Sequence, residues 1–373
     1  MCRARLPMNA VHGGDLQAIA ERYGVDPSTL VDFSANIAPQ GPPAGVAGAL
    51  ARAASDPRLL APYPRPCYRR LRERIATLLG VEAECVVVGN GSAALIDLAL
   101  RASGAPAWLV PVPAFSEYRR SLDAANLALL RFALPQTPAL GVDAYLAALR
   151  AHPNAGALVT TPHNPSGMAL SLEGSLKLLA RVEAMDRPLI MDEAFIDYVP
   201  ERSIVRETAR SRRGVVLRSL TKFYALAGVR VGYAIAHPDL ARVMRERSPS
   251  WPVGTLDEAI ALEALDDEAY AMRTRAANEA ARDALTRDLA ALGVTVFPSN
   301  ANFLLAELPL SVLRLDGFLQ ALIGDGIVVR DCRSYDGLER RSVIRVAVLD
   351  RERNLRLVSA LARALESVHA HRN

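Results

Sequence analysis

Lysine is almost missing from this chain: of 44 basic residues only Lys177 and Lys222 are lysines, and the rest are arginines. Aromatic residues make up only 5% of the 373, and no arginine run is interleaved with them as a nucleic-acid surface requires. A net charge of +4 and a pI near 9.0 are mild for this length, so a small acidic ligand fits better than a polyanion. No apolar run approaches the roughly 20 residues needed to cross a bilayer. The N-terminal stretch MCRARLPMNAVHGG lacks the apolar core of a secretory signal. No membrane association and a cytoplasmic location are the expectation. Cysteine is scarce as well: Cys2, Cys67, Cys85 and Cys332 are widely spaced, with no CxxC pair and no clustered histidine. They read as reduced thiols with no metal site, Cys85 in ECVVV being core packing.

Apolar content is plentiful, at 51% against 23% charged, enough for a large core. Apolar runs of strand length alternate with amphipathic stretches of helical length. The strands are expected at 85–89, 107–112, 157–160, 188–192, 214–219 and 229–236, with helices at 68–80, 92–103 and 175–185. Continuous apolar strands between helices predict a mainly parallel sheet covered on both faces. From about 256 the pattern changes to a long helical stretch reaching about 292. Short strands, a helix near 315–324 and a terminal helix follow, which suits a smaller α+β domain. The expected organisation is an arm over 1–45, a large domain over 46–255 and a small domain over 256–373.

Four segments carry chemistry. GNGS (89–92) ends a strand and opens a helix, so its glycines permit a tight turn whose amides can hold a phosphate. A plain strand-to-helix turn would explain the same residues. TTPHNPSG (160–167) sets Asn164 before a proline turn. PLIMDEAFIDY (188–198) puts Asp192 at the C-terminal end of a strand, where open α/β sheets bind ligands, although helix capping would also place a carboxylate there. LRSLTKFYALAGVRVGY (217–233) supplies Ser219, Thr221, Lys222 and Arg230.

A lysine among hydroxyls, near a phosphate nest and a strand-end acid, matches what pyridoxal phosphate requires. That cofactor needs an amine for covalent attachment, donors for its phosphate, and an anion beside its ring nitrogen. Arginine cannot provide the attachment, because its guanidinium does not deprotonate in proteins. Lys177, in EGSLKLLARVEA, reads as a solvated charge on a surface helix.

The order GNG, NPxG, DEAF and SxTK…R resembles the fold-type I, aspartate-aminotransferase-like superfamily of pyridoxal-phosphate enzymes over nearly the whole chain. Within it, APYPRPCYRRLRERIA (61–76) is similar to a tyrosine-bearing segment of the histidinol-phosphate aminotransferase branch. HGGDL (12–16), DFSANIAPQGPP (32–43), DEAFIDY and RDCRSYDGL (330–338) resemble the threonine-phosphate decarboxylases of cobalamin biosynthesis. The resemblance implies that Lys222 carries the cofactor and Asp192 pairs with its pyridine nitrogen. It places Asn164 at the phenolic oxygen and Phe115 against the ring. Gly91, Ser92, Ser219, Thr221 and Arg230 would surround the phosphate, with Tyr63 arriving from the second subunit of a homodimer. Arg345 would clamp the substrate carboxylate, and His12, Asn36, Arg330 and Arg333 would contact the phosphate of a small phosphorylated amino acid.

Two reactions stay open on this reading, decarboxylation and a histidinol-phosphate-type transamination. Phe195 departs from the aminotransferase pattern, which has tyrosine there, and so favours decarboxylation. A regulatory pyridoxal-phosphate-fold protein is a remote third reading. It would need an appended DNA-binding module, for which an arm of about 45 residues leaves no room.

Overall fold

The computed structural model describes residues 13–370. Thirteen strands run in chain order: β1 (Val31–Asp32), β2 (Val86–Asn90), β3 (Ala107–Val112), β4 (Ala128–Ala133), β5 (Ala155–Thr160), β6 (Leu189–Asp192), β7 (Gly214–Ser219), β8 (Val231–Ala236), β9 (Thr295–Val296), β10 (Phe303–Glu307), β11 (Ile327–Val328), β12 (Arg330–Asp331) and β13 (Val343–Ala347). Seven of them form one sheet in the order β2-β8-β7-β6-β5-β3-β4. β8 runs antiparallel to both neighbours, and the remaining pairings are parallel. The chain is α/β, as its apolar pattern implies.

The unbroken apolar strands have a physical reason in this sheet. Side chains alternate between faces, so a strand covered on both sides must be apolar at every position. Val86, Val88, Leu189 and Met191 point into one core, with Leu71 and Ile75 of the helix Arg69–Leu79 and Leu178 and Val182 of the helix Leu172–Ala184. Val87 and Ile190 point into the other, against Leu95, Ile96 and Ala99 of the helix Gly91–Ser103. β4 departs from the rule and was not among the expected strands. It lies at the sheet edge with no fully buried residue, so its sequence ALLRFA carries a weak strand signal.

The long helical stretch expected from 256 to 292 is two helices, Thr255–Asp266 and Glu268–Ala291. Asp267 breaks it by leaving helical geometry and accepting the Tyr270 amide at 2.7 Å as an N-cap. Ile260, Ala261, Ala264 and Leu265 of the first helix pack into the core beneath the seven-stranded sheet. The second helix turns towards another core, where Leu285 and Leu289 meet Leu304, Phe318, Ile344 and Leu361 under the sheet β12-β13-β10-β9. Phe33 is fully buried in that core, and β1 pairs in parallel with β11, which ties the N-terminal segment to the C-terminal one. Among the described residues no helix is long and apolar enough to cross a membrane.

One charged cluster is buried at the end of the sheet. Arg218, with 3% of its side chain exposed, pairs with Glu193 at 3.0 Å and Asp197 at 2.8 Å. The Ser203 hydroxyl donates to Glu193 at 2.6 Å and accepts from Arg218 Nη2 at 3.0 Å, and the Ile204 amide donates to Glu193 at 3.1 Å. These contacts fasten β6, β7 and the segment after β6 together. Removing one partner of a buried pair leaves the other charge uncompensated. Glu193→Ala is expected to lose roughly 3 kcal/mol of stability in denaturant unfolding, and a loss below about 1 kcal/mol would show that water or Asp197 compensates Arg218.

Candidate active site

β5, β6 and β7 run parallel and in register, with Thr160 beside Asp192 and Asp192 beside Leu217. Their C-terminal ends therefore deliver neighbouring chemistry to one edge of the sheet. The loop after β5 brings Asn164, β6 ends on Asp192, and β7 ends on Ser219, whose hydroxyl caps the single helical turn Leu220–Phe223 that carries Lys222. From the other side of the sheet comes the β2 turn. Gly91 has φ +68, and a Cβ there would lie 2.8 Å from Arg230 Nη2. Only glycine lets the two meet without displacement. Arg230 itself has φ 58, a left-handed conformation uncommon for a residue with a side chain and concentrated at functional sites.

These elements enclose a cavity of about 390 Å³. Ser92, Phe115, Asn164, Asp192, Lys222 and Arg230 all line it. Asn36, Arg330 and Arg345 line it from the N-terminal segment and the small sheet. The half-buried Lys222 side chain lines the same cavity. Burial lowers its amine to a pKa of about 8, and the nearby Arg345 and Arg230 cations push the same way against the opposing Asp32. Burial raises the Asp192 carboxyl, while hydrogen bonds from the Tyr118 hydroxyl at 2.6 Å and the Ala194 amide at 3.0 Å favour its ionised form.

Arg345 is the most constrained cation in the cavity. Its Nη1 donates to Asn164 Oδ1 at 2.6 Å and to the Tyr335 hydroxyl at 3.2 Å, and Nη2 donates to the Ser34 carbonyl at 2.9 Å. Its Nε is buried without a hydrogen-bond partner, as is Asn36 Oδ1. Arg330 stands opposite Arg345 in the antiparallel register of β12 and β13, so both side chains leave the same face. The Arg330 guanidinium lies 5.5 Å from the centre of the Tyr335 ring.

Other expected residues stand apart from the cavity. Ser219 and Thr221 do not line it, and their hydroxyls are 2.8 Å from each other. Tyr63 is 76% exposed and stacks on Trp251 with ring centres 4.2 Å apart. Arg333, expected at the substrate phosphate, is held elsewhere. It sits in the turn after β12, bonded to Asp331 at 2.7 Å and to Asp316 at 2.5 Å. Its own β12 neighbour cancels its charge, and Arg330 is the arginine of that motif that reaches the cavity. His12 lies outside the described residues. Cavity residues that escaped the sequence reading include Tyr118, Thr160 and Tyr335. Tyr118 is one helical turn beyond Phe115, and that spacing could have exposed it.

Comparison with known proteins gives a consistent result. Residues 28–361 match the family model for aminotransferase class I and II. The chain is 32% identical to the threonine-phosphate decarboxylase of Salmonella typhimurium, covering 96% of this chain and 98% of that one. It is 29% identical to the adenosylcobalamin biosynthesis bifunctional protein of Leptospira interrogans, covering 94% of this chain and 40% of that larger protein. Its fold is similar to that of histidinol-phosphate aminotransferase from Sinorhizobium meliloti solved with pyridoxal-5'-phosphate, with a TM-score of 0.85, 20% identity, and 98% and 99% of the two chains covered.

The lowered Lys222 amine is open to direct measurement. In a Lys177→Arg background Lys222 is the remaining lysine, and its rate of labelling by trinitrobenzenesulfonate in the cofactor-free protein, read on the Lys222 peptide to exclude the N-terminal amine, should rise with pH to a plateau with a midpoint near 8. A midpoint above about 10, the ordinary range of a lysine, would show that burial and the two arginines leave the amine unperturbed.

Proposed function

Because the chain belongs to the class I and II aminotransferase family, we propose that this cavity uses pyridoxal 5'-phosphate to decarboxylate L-threonine O-3-phosphate, giving (R)-1-amino-2-propanol O-2-phosphate for cobalamin biosynthesis. One observation carries the reading. Arg330 and Arg345 face each other across adjacent strands and line the cavity that holds Lys222 and Asp192. Two guanidiniums suit a substrate with two anionic groups, a carboxylate and a phosphate. Histidinol phosphate has only one.

The residues present fit the cofactor. The glycine turn at Gly91 lets Arg230 approach next to Ser92, donors that suit a phosphate, and the Asp192 carboxylate and Lys222 amine that would hold the ring line the same cavity. In this reading Lys222 Nζ attaches the cofactor, Asp192 holds a proton at the ring nitrogen, and Asn164 donates to the phenolic oxygen. Phe115 covers the ring face. Gly91, Ser219 and Thr221 act one step back, shaping the two turns that present Ser92, Arg230 and Lys222. When bound, pyridoxal phosphate supplies an electron sink for the pair released as the bond to the carboxylate breaks.

The protein's part is to choose which bond breaks. A bond at the substrate α-carbon is cleaved when it stands perpendicular to the cofactor ring. Arg345, with its free buried Nε, takes the carboxylate, and Arg330 takes the phosphate. Holding the substrate at both ends would fix the direction in which its carboxylate points, so that binding at the phosphate is used to orient the reacting bond. The carbon that loses carbon dioxide must gain one proton, and the Lys222 amine, which lines the same cavity, would deliver it. Phe195 lines the cavity without a hydroxyl where aminotransferases have tyrosine, which removes one donor to the phenolic oxygen.

The same reading makes the protein a two-fold homodimer. Leu59, Leu60, Tyr63 and Trp251 are all exposed, an apolar patch that a second copy would cover. Tyr63 would then reach the partner's phosphate site. Division into an arm, a large domain and a small domain separates the two binding roles, since the large domain holds the cofactor while the arm and small domain grip the substrate.

Two experiments test these statements. Purified protein given threonine phosphate should release carbon dioxide without converting it to the corresponding 2-oxoacid when an amino acceptor is supplied, and Arg330→Ala should weaken threonine phosphate at least tenfold more than threonine. Stoichiometric 2-oxoacid without carbon dioxide would make the protein a transaminase. Mixing inactive Tyr63→Ala and Lys222→Ala proteins should restore activity through hybrid dimers, whereas verified subunit exchange with no recovery would mean that each site is complete within one chain.

A further inference from the structure

The Asp192 carboxylate is met by a chain of hydroxyls that none of the roles above uses. The Tyr118 hydroxyl lies 2.6 Å from Asp192 Oδ2 and 2.6 Å from Thr160 Oγ1, and Tyr118 is fully enclosed in the helix Ser116–Ala124 that lies against the sheet. An ionised carboxylate can only accept, so the single Tyr118 proton points at Asp192. The Thr160 hydroxyl must then be the donor to the Tyr118 oxygen. The direction of the whole chain is fixed: Thr160 to Tyr118 to Asp192.

Its placement follows from the sheet. Thr160 and Asp192 are register partners on β5 and β6, and Tyr118 reaches across both from above. The Ala194 amide occupies the other oxygen, Oδ1, at 3.0 Å. Each oxygen of the carboxylate therefore has one fixed donor and one acceptor position left. Tyr118 cannot switch roles, because burial and the adjacent carboxylate push its hydroxyl well above its ordinary range and it stays protonated at any working pH. A donor whose own oxygen is already accepting a hydrogen bond is also polarised towards its acceptor.

We propose that Tyr118, oriented by Thr160, is a positioning residue that keeps Asp192 ionised and weakly basic, and thereby keeps the ring nitrogen of the cofactor protonated. The inference rests on the assignment of Asp192 to that nitrogen. A carboxylate with fewer donors holds a proton more tightly. Without Tyr118 the shared proton would move from the ring nitrogen to Asp192, or Asp192 would take one from water, and in either case the nitrogen would lose its charge partner. The electron sink would weaken although every residue touching the cofactor remained in place. Thr160 acts through one further bond and has the smaller effect.

The ring nitrogen reports this directly. Wild-type protein, Tyr118→Phe and Thr160→Val would each be loaded with pyridoxal phosphate carrying ¹⁵N in the ring, and the nitrogen resonance followed by NMR from pH 6 to 9. In the wild type a protonated-nitrogen signal is expected throughout. An unprotonated wild-type signal would remove Asp192 from its role, which separates failure of that assignment from failure of this one. Tyr118→Phe should move the signal towards the unprotonated position, and Thr160→Val should move it the same way by less. Turnover in Tyr118→Phe should fall about tenfold in kcat with KM little changed, the pattern of an interaction made in the transition state. A protonated signal retained in Tyr118→Phe overturns the proposal. If that variant does not fold, Thr160→Val, which leaves the tyrosine in place, decides alone: an unmoved signal there overturns it.

Discussion

A carboxylate buried at the end of a parallel strand must be met by donors, and the placement of Asp192 imposes that condition on everything around it. Asp192 is 3% exposed, and the backbone turn after β6 and a side chain from a neighbouring helix supply its hydrogen bonds. The helix can do so because Tyr118 and Leu122 pack into the same core as Val110 of β3 and Leu158 of β5. The amine opposite faces the converse demand. Lys222 is half-buried near two arginines, which favours the neutral form that attachment of a cofactor requires. Packing and chemistry are thus one problem here, because the same burial that closes the core tunes the acid and the base.

What could be read from the sequence was what the backbone or burial forces on it. The strands of the central sheet showed as unbroken apolar runs because both their faces are covered, and β4 did not because its edge position leaves it half exposed. Gly91, Asn164, Asp192 and Lys222 were legible because tight turns at strand ends accept few residue types. The two-residue strand β1 carries no periodicity at all, and only its pairing with β11 defines it. Arg330 and Arg333 show the limit most clearly. Both belong to RDCRSYDGL, and spacing alone cannot tell a strand residue facing the cavity from a turn residue facing its own aspartate. The antiparallel register with Arg345 separates them, and register is a property of two distant segments. Tyr118 and Thr160 were passed over because a tyrosine and a threonine near apolar residues look like ordinary core.

The cavity also shows where stability has been exchanged for function. Arg230 adopts a left-handed backbone, a conformation costing on the order of 1 kcal/mol or more for such a residue, and Arg345 keeps one buried nitrogen without a partner. Neither feature helps the chain fold. In the proposed reaction each would gain an anion, the cofactor phosphate at Arg230 and the substrate carboxylate at Arg345, and existing hydrogen bonds already hold both side chains in place.

The hydrogen bond from Arg345 to the Ser34 carbonyl spans 311 residues of chain. The Phe33 carbonyl accepts from the Ala347 amide at 2.8 Å, and β1 lies alongside β11, so the beginning and the late part of the polypeptide are sewn together at the mouth of the cavity. A ribosome makes these ends in order. On the proposed assignment, the residues of the cofactor end, 91 to 230, leave the ribosome before β13, which completes the substrate end, has been made. During that interval the nascent protein has the parts to bind a reactive aldehyde and lacks the parts to select what reacts with it. Specificity is the last property this chain acquires.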